Sequence, residues 1–293
     1  MSAGSILLED ARVLRHAAHP GAQHILELAA PRIAARARPG QFVHLRCAPG
    51  LPMRRPLSLL GTDAASGVIR LLYKVVGEGT RLLAQRQPGE SLSLMGPIGQ
   101  PFGLPEAGSD CLLIGGGVGI PPLLYLAQAL AAGGHDLHAS LLLMGSEAPA
   151  PFALTAARLP VPGLAAAIDQ TLPEMEALGL PARLASLQAR PGWHRGYVTE
   201  LAAAWLAARR SRPVRLYACG PEPMLRACAA LAARHGLSAQ LSLEEHMACA
   251  VGGCAGCTVR VATAQGPAMK RVCVDGPVFE AAAVYPEFFA AAA

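Results

Sequence analysis

Four cysteines near the C-terminus constrain this chain more than any other feature. Cys249, Cys254 and Cys257 follow the pattern C-x₄-C-x₂-C, and Cys273 comes after a gap of fifteen residues. This is the plant-type spacing that holds a [2Fe–2S] cluster. A chain with this pattern must fold its C-terminal part so that four thiols surround one inorganic core. We therefore predict that these four cysteines are cluster ligands.

The residues between the first three cysteines support a cluster. They are nearly all small, AVGG at 250–253 and AG at 255–256, and glycine gives a loop both backbone freedom and N–H groups close to sulfur. A structural zinc site is the main alternative, although zinc modules usually show two short-spaced pairs of cysteines. Disulfides or free thiols are a further alternative, but closely spaced thiols in a chain without signs of secretion favour metal or redox use.

Length and charge exclude several other classes. The 293 residues have room for two globular domains and a small appendage. The net charge of +5 is modest and the arginines are scattered, so nucleic-acid binding is not indicated. Residues 1–15 lack the features of a signal peptide, and no run reaches the roughly twenty apolar residues that span a bilayer. We therefore expect a cytoplasmic protein that does not enter the membrane.

The pattern of residues changes twice along the chain. Residues 1–105 contain many short strand-like runs separated by Gly and Pro, and they predict a small antiparallel β-barrel. Residues 106–238 alternate apolar strands with helices and predict an α/β domain with a parallel sheet. Residues 239–293 hold the cysteines and have too little core to fold alone without the metal. We thus predict a multi-domain protein: barrel, α/β domain and small cluster-binding segment.

A glycine-rich loop follows the apolar strand at 111–114. The loop, GGGVG at 115–119, precedes a helix predicted from Pro121 to about Ala132. Backbone N–H groups at such a position can hold a pyrophosphate, and glycine lets the phosphate approach. The loop is not a full G-x-G-x-x-G motif, because Ile120 and Pro122 occupy the positions where a third glycine would fall. By itself it fits a nucleotide site and a tight structural turn equally well.

Three further segments resemble the ferredoxin–NADP reductase superfamily, in which a flavin-binding barrel precedes a nicotinamide-binding α/β domain. RPLS at 55–58 is similar to the flavin motif Arg-x-Tyr/Ile-Ser/Thr, GEGT at 77–80 to a second phosphate-holding turn, and CGPEPM at 219–224 to the family's Cys-Gly-Pro segment. The resemblance implies that Arg55 pairs with the flavin pyrophosphate and that the Ser58 hydroxyl faces the isoalloxazine. It also implies that Cys219 lies near the nicotinamide. A surface arginine, a strand hydroxyl and a buried small residue are the alternatives.

On this resemblance we assign Ser58 and Cys219 to the catalytic site. The residues assigned to FAD and nicotinamide binding are Arg55, Pro56, Leu57, Ser58, Leu72, Tyr73, Lys74, Gly79, Thr80, Gly115, Gly116, Gly117, Gly119, Gly220 and Pro221.

The order of flavin domain, nicotinamide domain and short [2Fe–2S] segment narrows the resemblance to the electron-transfer subunits of class 1B dihydroorotate dehydrogenases, over essentially the whole chain. The segments 243–249, LEEHMAC, and 272–279, VCVDGPVF, are close to the cluster motifs of that family. Ala250 stands where relatives usually have glycine, which should cost little if its φ is negative. The resemblance implies an obligate partner in pyrimidine biosynthesis, a catalytic flavoprotein that oxidises dihydroorotate to orotate, in a heterotetramer with two copies of each subunit.

The cofactors set the order of electron transfer. A nicotinamide exchanges two electrons as a hydride and the cluster exchanges one, whereas a flavin can do both. The resemblance therefore implies that electrons pass from the partner through the cluster to FAD and then to NAD⁺. NAD(H) is expected over NADP(H), because Ser146 and Glu147 follow Gly145 with no Arg or Lys nearby in sequence, and an acidic residue disfavours a 2′-phosphate.

Two alternatives stay open on the sequence. A diaphorase subunit of a sulfhydrogenase or of a ferredoxin:NADP transhydrogenase shares every motif described above. A non-catalytic regulator, in which the cluster senses oxidants or zinc holds the tail together, belongs to a different class. The regulator predicts a purified protein without the yellow colour of flavin.

Overall fold

The computed structural model describes residues 6–209 and 212–290. The first part of the chain forms a barrel, the second a sheet with helices, and the third carries the cysteines. The barrel part contains β1 Leu7–His19, β2 Gln23–Ala29, α1 Pro31–Ala34, β3 Phe42–Leu45, β4 Arg55–Asp63, β5 Val68–Lys74, α2 Glu78–Leu83 and β6 Ser91–Ile98.

The six strands close into an antiparallel barrel in the order β1-β2-β5-β4-β3-β6, which confirms the predicted class. Each strand places alternate side chains on opposite faces. The inward residues, such as Val43, Leu59 and Leu71, form one buried core. The outward face at β3, β4 and β5 is covered by the rest of the chain, so residues such as Phe42 and Leu72 are buried as well.

The second part is an α/β layer. Its elements are β7 Asp110–Gly116, a 3₁₀ turn at Gly117–Gly119, α3 Ile120–Ala132, β8 Leu141–Gly145, β9 Thr155–Ala156, β10 Gln170–Thr171, α4 Pro173–Ala177, β11 Ala182–Ser186, β12 His194–Arg195, α5 Val198–Ala208, β13 Val214–Cys219, α6 Glu222–Arg234 and β14 Ser238–Ser242. Strands β7, β8 and β13 are almost entirely apolar and buried, as expected for parallel strands that are covered on both faces.

The third part contains β15 Thr258–Thr263, β16 Gly266–Arg271, β17 Val278–Glu280, α7 Ala281–Val284 and α8 Pro286–Phe289. Strands β15 and β16 form a separate hairpin. Strand β17 instead pairs antiparallel with β14 and completes a seven-stranded sheet in the order β12-β11-β8-β7-β13-β14-β17. The C-terminal part therefore returns to the sheet, and Ala281 and Tyr285 pack into the sheet's core. The boundaries predicted near residues 105 and 238 stay predictions.

The barrel and the sheet share an interface on α3. Tyr125 projects from this helix into the barrel core, where its hydroxyl donates to the carbonyl of Ala37 at 2.7 Å and also bonds to Thr62 Oγ1 at 2.9 Å. A second link runs from the Gln23 amide to the carbonyl of Pro149 at 2.8 Å. No helix in the described ranges is long and apolar enough to cross a bilayer.

Candidate functional site

A cavity of about 460 Å³ opens where the barrel, the sheet and the segment after β14 meet. Nine residues that the sequence assigned to cofactor binding or catalysis line it: Arg55, Pro56, Leu57, Ser58, Leu72, Tyr73, Lys74, Thr80 and Cys219. Strands β4 and β5 supply seven of these, because the two strands are antiparallel neighbours in the barrel. The cavity thus joins three segments that are far apart in sequence.

Arg55 lies against the predicted second phosphate-holding turn. Its Nη1 donates to the carbonyls of Met53 and Arg54 at 2.9 and 3.1 Å. A Cβ built on Gly79 would lie only 2.7 Å from Arg55 Nε. The guanidinium can therefore occupy this position only because residue 79 has no side chain. Thr80 closes the turn by accepting hydrogen bonds from the N–H groups of Val76 and Gly77. A cation beside a closed turn suits an anionic group of a cofactor.

Ser58 and Cys219 reach the same cavity from different parts of the fold. Ser58 lies on β4 and Cys219 ends β13. Burial raises the pKa of the Cys219 thiol, and the carboxylate of Glu244 raises it further. Glu244 is exposed and lines the cavity. Desolvation by the surrounding protein raises the pKa of its carboxyl as well. Cys219 is therefore a neutral thiol, suited to packing against a ring rather than to nucleophilic attack.

The glycine-rich loop has a clear packing role. Gly115 is in register with Cys219 on the neighbouring strand, and a Cβ on Gly119 would lie 2.4 Å from the backbone C and O of Cys219. A Cβ on Gly116 would lie 3.0 Å from Pro221 Cδ. Glycine thus lets the β7–α3 and β13–α6 turns touch. Among the loop residues, Val118 reaches the cavity, so the nucleotide role assigned to Gly115, Gly116, Gly117, Gly119, Gly220 and Pro221 stays a prediction.

The surroundings of Glu147, on which the expectation of NAD(H) rested, include a basic residue from a distant part of the chain. Arg190 donates through Nη2 to the carbonyl of Glu147 at 2.7 Å, so a basic residue that is distant in sequence lies beside Glu147 in space. The loop after β11 brings Arg190 back to the end of β8, and its guanidinium lies 5.3 Å from the centre of the Trp193 ring. The Glu147 carboxylate accepts from Leu187 N at 3.0 Å. Absence of positive charge therefore does not support NAD over NADP here.

The four cysteines lie in two pairs. The N–H of Cys254 donates to Cys249 Sγ, and Cys257 and Cys273 are buried in one apolar group. In the described part of the chain, no three Cys, His, Asp or Glu side chains are grouped as a site for a single metal ion requires. Zinc needs four ligands around one centre, whereas a [2Fe–2S] cluster distributes four cysteines over two irons. The residues present therefore fit a [2Fe–2S] cluster, with two cysteines available for each iron.

Backbone N–H groups surround the first of these sulfurs. The N–H of Cys254 donates to Cys249 Sγ at 3.4 Å. Although partial burial acts in the opposite direction, N–H groups of Val251, Cys254 and Gly253 lower the pKa of Cys249 to about 7. Burial and the neighbouring Cys257 raise the pKa of Cys273 to about 12. Hydrogen bonds to sulfur are the protein's means of stabilising thiolate ligands and of tuning a cluster.

Ala250 has a left-handed backbone, with φ at 56°. The condition under which its replacement of glycine would cost little, a negative φ, is therefore not met. Ala255 has the same conformation, with φ at 54°. The loop thus places alanine at two positions that favour glycine. Ala250 is also fully buried, where its methyl group packs with Cys257 and Cys273.

Several cavity residues were not assigned to FAD or nicotinamide binding from the sequence, although segment 243–247 and Pro277 lie in the motifs predicted for the cluster. They come from β3, the chain after β5, the glycine-rich loop, the end of β14 and the segments beyond it: Phe42, Val76, Val118, Ser242, Leu243, Glu244, Glu245, His246, Met247 and Pro277. Segment 242–247 forms one wall of the cavity and leads directly to Cys249. The flavin-type cavity and the cysteine site are therefore adjacent in both sequence and space.

Comparison with known proteins identifies relatives along nearly the whole chain. Residues 244–285 match the family model of the iron–sulfur cluster binding domain of dihydroorotate dehydrogenase B. The electron transfer subunit of dihydroorotate dehydrogenase B (NAD(+)) from Desulforamulus reducens is 32% identical over 281 residues, covering 92% of this chain and 95% of the relative. The subunit of the same name from Bacillus caldolyticus is 38% identical over 251 residues, covering 84% and 86% of the two chains.

Solved structures with the same architecture include two reductases. A chain of the NADH-dependent reduced ferredoxin-NADP oxidoreductase superposes with a TM-score of 0.74 at 26% identity, covering 96% of this chain and 91% of the other. A ferredoxin NADP⁺ reductase from Neisseria gonorrhoeae superposes with a TM-score of 0.57 at 17% identity, covering 78% and 92%. The second likeness concerns the fold alone.

Proposed function

Because the chain belongs to the family of electron transfer subunits of dihydroorotate dehydrogenase B (NAD(+)), we propose that it carries electrons between a dihydroorotate-oxidising flavoprotein subunit and NAD(H) in pyrimidine biosynthesis. Its expected cofactors are FAD and a [2Fe–2S] cluster. The observation that carries this proposal is the adjacency of the two sites, since one wall of the flavin-type cavity continues into the cysteine loop.

The chain's own residues have distinct tasks in this proposal. Arg55 neutralises the pyrophosphate of FAD, and the glycine turn at Gly79 leaves room for that contact. Ser58 and Cys219 provide a hydroxyl and a neutral thiol in the lining of the cavity. Cys249, Cys254, Cys257 and Cys273 ligate the cluster. Bound FAD supplies the chemistry that links two-electron exchange with nicotinamide to one-electron exchange with iron.

The finer assignments belong to the same proposal. They are a heterotetramer with two catalytic and two electron-transfer subunits, a division into residues 1–105, 106–238 and 239–293, and a cytoplasmic location. A cytoplasmic location is supported by the chemistry of the site, because the four cysteines must stay reduced to bind the cluster. The twofold stoichiometry is supported by the family assignment.

Anaerobic assay of the complex isolated from its native host tests the proposal. We expect dihydroorotate-dependent reduction of NAD⁺. In the Cys254→Ala variant this activity should fall to the background level, because one iron loses a ligand, while NADH-driven reduction of a dye through FAD survives. Cys228→Ala is the matched control, since Cys228 is buried in α6 away from the cluster, and both activities should survive there.

The outcomes separate the candidate functions. A yellow-brown complex without dihydroorotate activity would reassign the chain to another catalytic partner, and the likeness to the NADH-dependent reduced ferredoxin-NADP oxidoreductase makes a transhydrogenase subunit the next candidate. Loss of both activities in Cys254→Ala would mean that the cluster acts mainly as a structural support. A colourless protein would favour the non-catalytic regulator.

A further inference from the structure

Three apolar side chains belong both to the lining of the flavin-type cavity and to the group that packs around the cysteines. Among the described residues these are Phe42, Leu243 and Met247. Phe42 comes from the barrel, whereas Leu243 and Met247 come from the segment that leads to Cys249. Two of the cysteines, Cys257 and Cys273, are buried in the same apolar group. These three side chains form the wall that separates the two cofactor sites, and we refer to them as the dividing wall.

The backbone fixes Phe42 between the two sites. On one side of β3 its register partner is Ser58, on β4 in the predicted flavin motif. On the other side its partner is Ile98, on β6, which packs with Cys257 and Cys273. Phe42 is 4% exposed. Strand pairing on both sides holds its backbone, and close packing in a buried place restricts the ring.

The cluster segment is attached to the same end of the barrel. The Gln100 amide donates to the carbonyl of Val274 at 3.2 Å. A Cβ on Gly99 would lie 2.4 Å from Pro277 Cδ, so the chain after β6 and the chain before β17 are in close contact. Leu243 N donates to the carbonyl of Pro277 at 2.9 Å. These contacts attach the segment after Cys273 to the chain that follows Ile98, the register partner of Phe42.

We propose that Phe42, supported by Met247, is the side chain through which the flavin and the cluster exchange electrons in this chain. The inference rests on the proposed function. Electronic coupling between two centres falls steeply with distance and falls faster across a void than through packed atoms. A close-packed aromatic side chain between the sites provides that contact and also excludes water, which controls the potential of a nearby cluster. Phe42 is in this sense a positioning residue.

The test compares Phe42→Ala with Phe42→Leu in the holo complex, mixed rapidly with NADH in the absence of oxygen. Bleaching of the flavin band reports hydride arrival, and the electron paramagnetic resonance signal of the reduced cluster reports the next transfer. We expect the rate of cluster reduction, relative to the rate of flavin bleaching in the same variant, to fall about tenfold in Phe42→Ala, the lower end of the losses seen when the surroundings of a metal site are altered. Phe42→Leu, which refills part of the space, should recover much of the rate.

Phe102→Ala is the matched control. Phe102 is 6% exposed, and its ring packs edge to face on Tyr217 at 5.6 Å in the sheet core, which is a separate apolar group from the one around Cys257 and Cys273. Its loss should reduce stability and leave cluster reduction unchanged. Met247→Ala is a second test that does not depend on folding of the barrel strand, because Met247 lies only partly buried in a loop. It should slow the same step to a smaller extent.

Iron content, flavin content and the cluster's midpoint potential are measured on every variant. Slower reduction of the cluster, with an unchanged midpoint potential of the cluster, supports the proposal. An unchanged rate in both Phe42→Ala and Met247→Ala, with both cofactors bound, would overturn it, as would a potential shift large enough to account for the slower rate. If NADH fails to reduce the cluster in the unaltered complex, the result contradicts the proposed function itself, on which the role of Phe42 rests.

Discussion

At the scale of single residues, Ala250 has an unfavourable backbone conformation in the cysteine loop. Its φ of 56° places an L-residue in the left-handed region, which costs about 1 kcal/mol. We expect Ala250→Gly to slow the loss of the cluster to a chelator and to stabilise the loop by up to about 1 kcal/mol. Cluster absorbance followed over time in excess chelator measures this.

The control for this prediction is Ala248→Gly. Ala248 is exposed and has a negative φ, so glycine there adds only freedom to the unfolded chain. It should accelerate cluster loss slightly or leave it unchanged. Faster loss in Ala250→Gly than in the unaltered chain would mean that packing of the Ala250 methyl group outweighs its backbone strain.

His44 is a second residue with an unusual environment. It is 1% exposed, and within the described residues neither ring nitrogen has a hydrogen-bond partner. Burial, followed by the charge of Arg54, lowers the pKa of His44 to about 4. Below its ordinary pKa, the unfolded chain binds a proton that the folded chain does not, so stability falls with decreasing pH until the folded pKa is reached.

We therefore expect His44 to destabilise the fold by about 2 kcal/mol as the pH falls from about 7 to about 5. His44→Met removes the titrating group with a flexible apolar side chain and should flatten that part of the pH profile. Thermal unfolding midpoints at the two pH values measure the change. The exposed His138→Gln is the control. An equal pH dependence in His44→Met and the unaltered protein would contradict the assignment.

At the scale of secondary-structure elements, the contact between the β7–α3 and β13–α6 turns depends on Gly119. A methyl group there would meet the backbone of Cys219 at 2.4 Å, and a backbone inside a sheet cannot move aside easily. We expect Gly119→Ala to destabilise the protein by about 1–3 kcal/mol and to weaken NADH binding. Thermal unfolding and an NADH titration measure the two effects.

Gly50→Ala is the corresponding control, because a Cβ at that position meets nothing within 4 Å. It should leave both quantities unchanged. If Gly119→Ala binds NADH normally and unfolds at the same temperature, then the close approach of the two turns is unimportant for the nicotinamide site.

The elements differ in how far the sequence predicts them. The helix predicted from Pro121 to about Ala132 is a local signal, and the structure forms it at Ile120–Ala132. The cysteine pattern and the Arg55–Ser58 motif are local signals as well, and the roles assigned to their residues stay predictions. Strands β9, β10 and β12 are two residues long, so the sequence shows no periodicity that would mark them. Phe42 reads as an ordinary core residue, because its role depends on strand pairing with Ser58 and Ile98. The approach of Arg190 to Glu147 likewise depends on a distant loop.

At the scale of the whole molecule, Tyr125 couples the barrel to the sheet. Its hydroxyl donates to Ala37 and bonds to Thr62, and burial raises its pKa, so it stays protonated. We expect Tyr125→Phe to cost about 1–3 kcal/mol, because partners are left unsatisfied in a buried place. Flavin fluorescence and far-ultraviolet circular dichroism during heating measure whether FAD release then precedes loss of secondary structure.

Tyr197→Phe is the control for this effect, since Tyr197 is 62% exposed. Its two signals should change together, as in the unaltered protein. Coincident transitions at an unchanged temperature in Tyr125→Phe would show that other contacts, such as that of Gln23 with Pro149, are sufficient to hold the two parts together.

The pairing of β14 with β17 has a consequence for how such a protein changes over time. The two strands are antiparallel neighbours, so residues 243–277 form the loop of one long hairpin, and the cysteines lie within that loop. Strand β17 pairs with β14 as the terminal strand of the sheet, and this pairing does not involve the residues of the loop. The cluster-binding loop can therefore be enlarged, exchanged or lost in evolution as an insertion between two strands. The barrel and the sheet, which bind the flavin and the nicotinamide, would keep every strand in place.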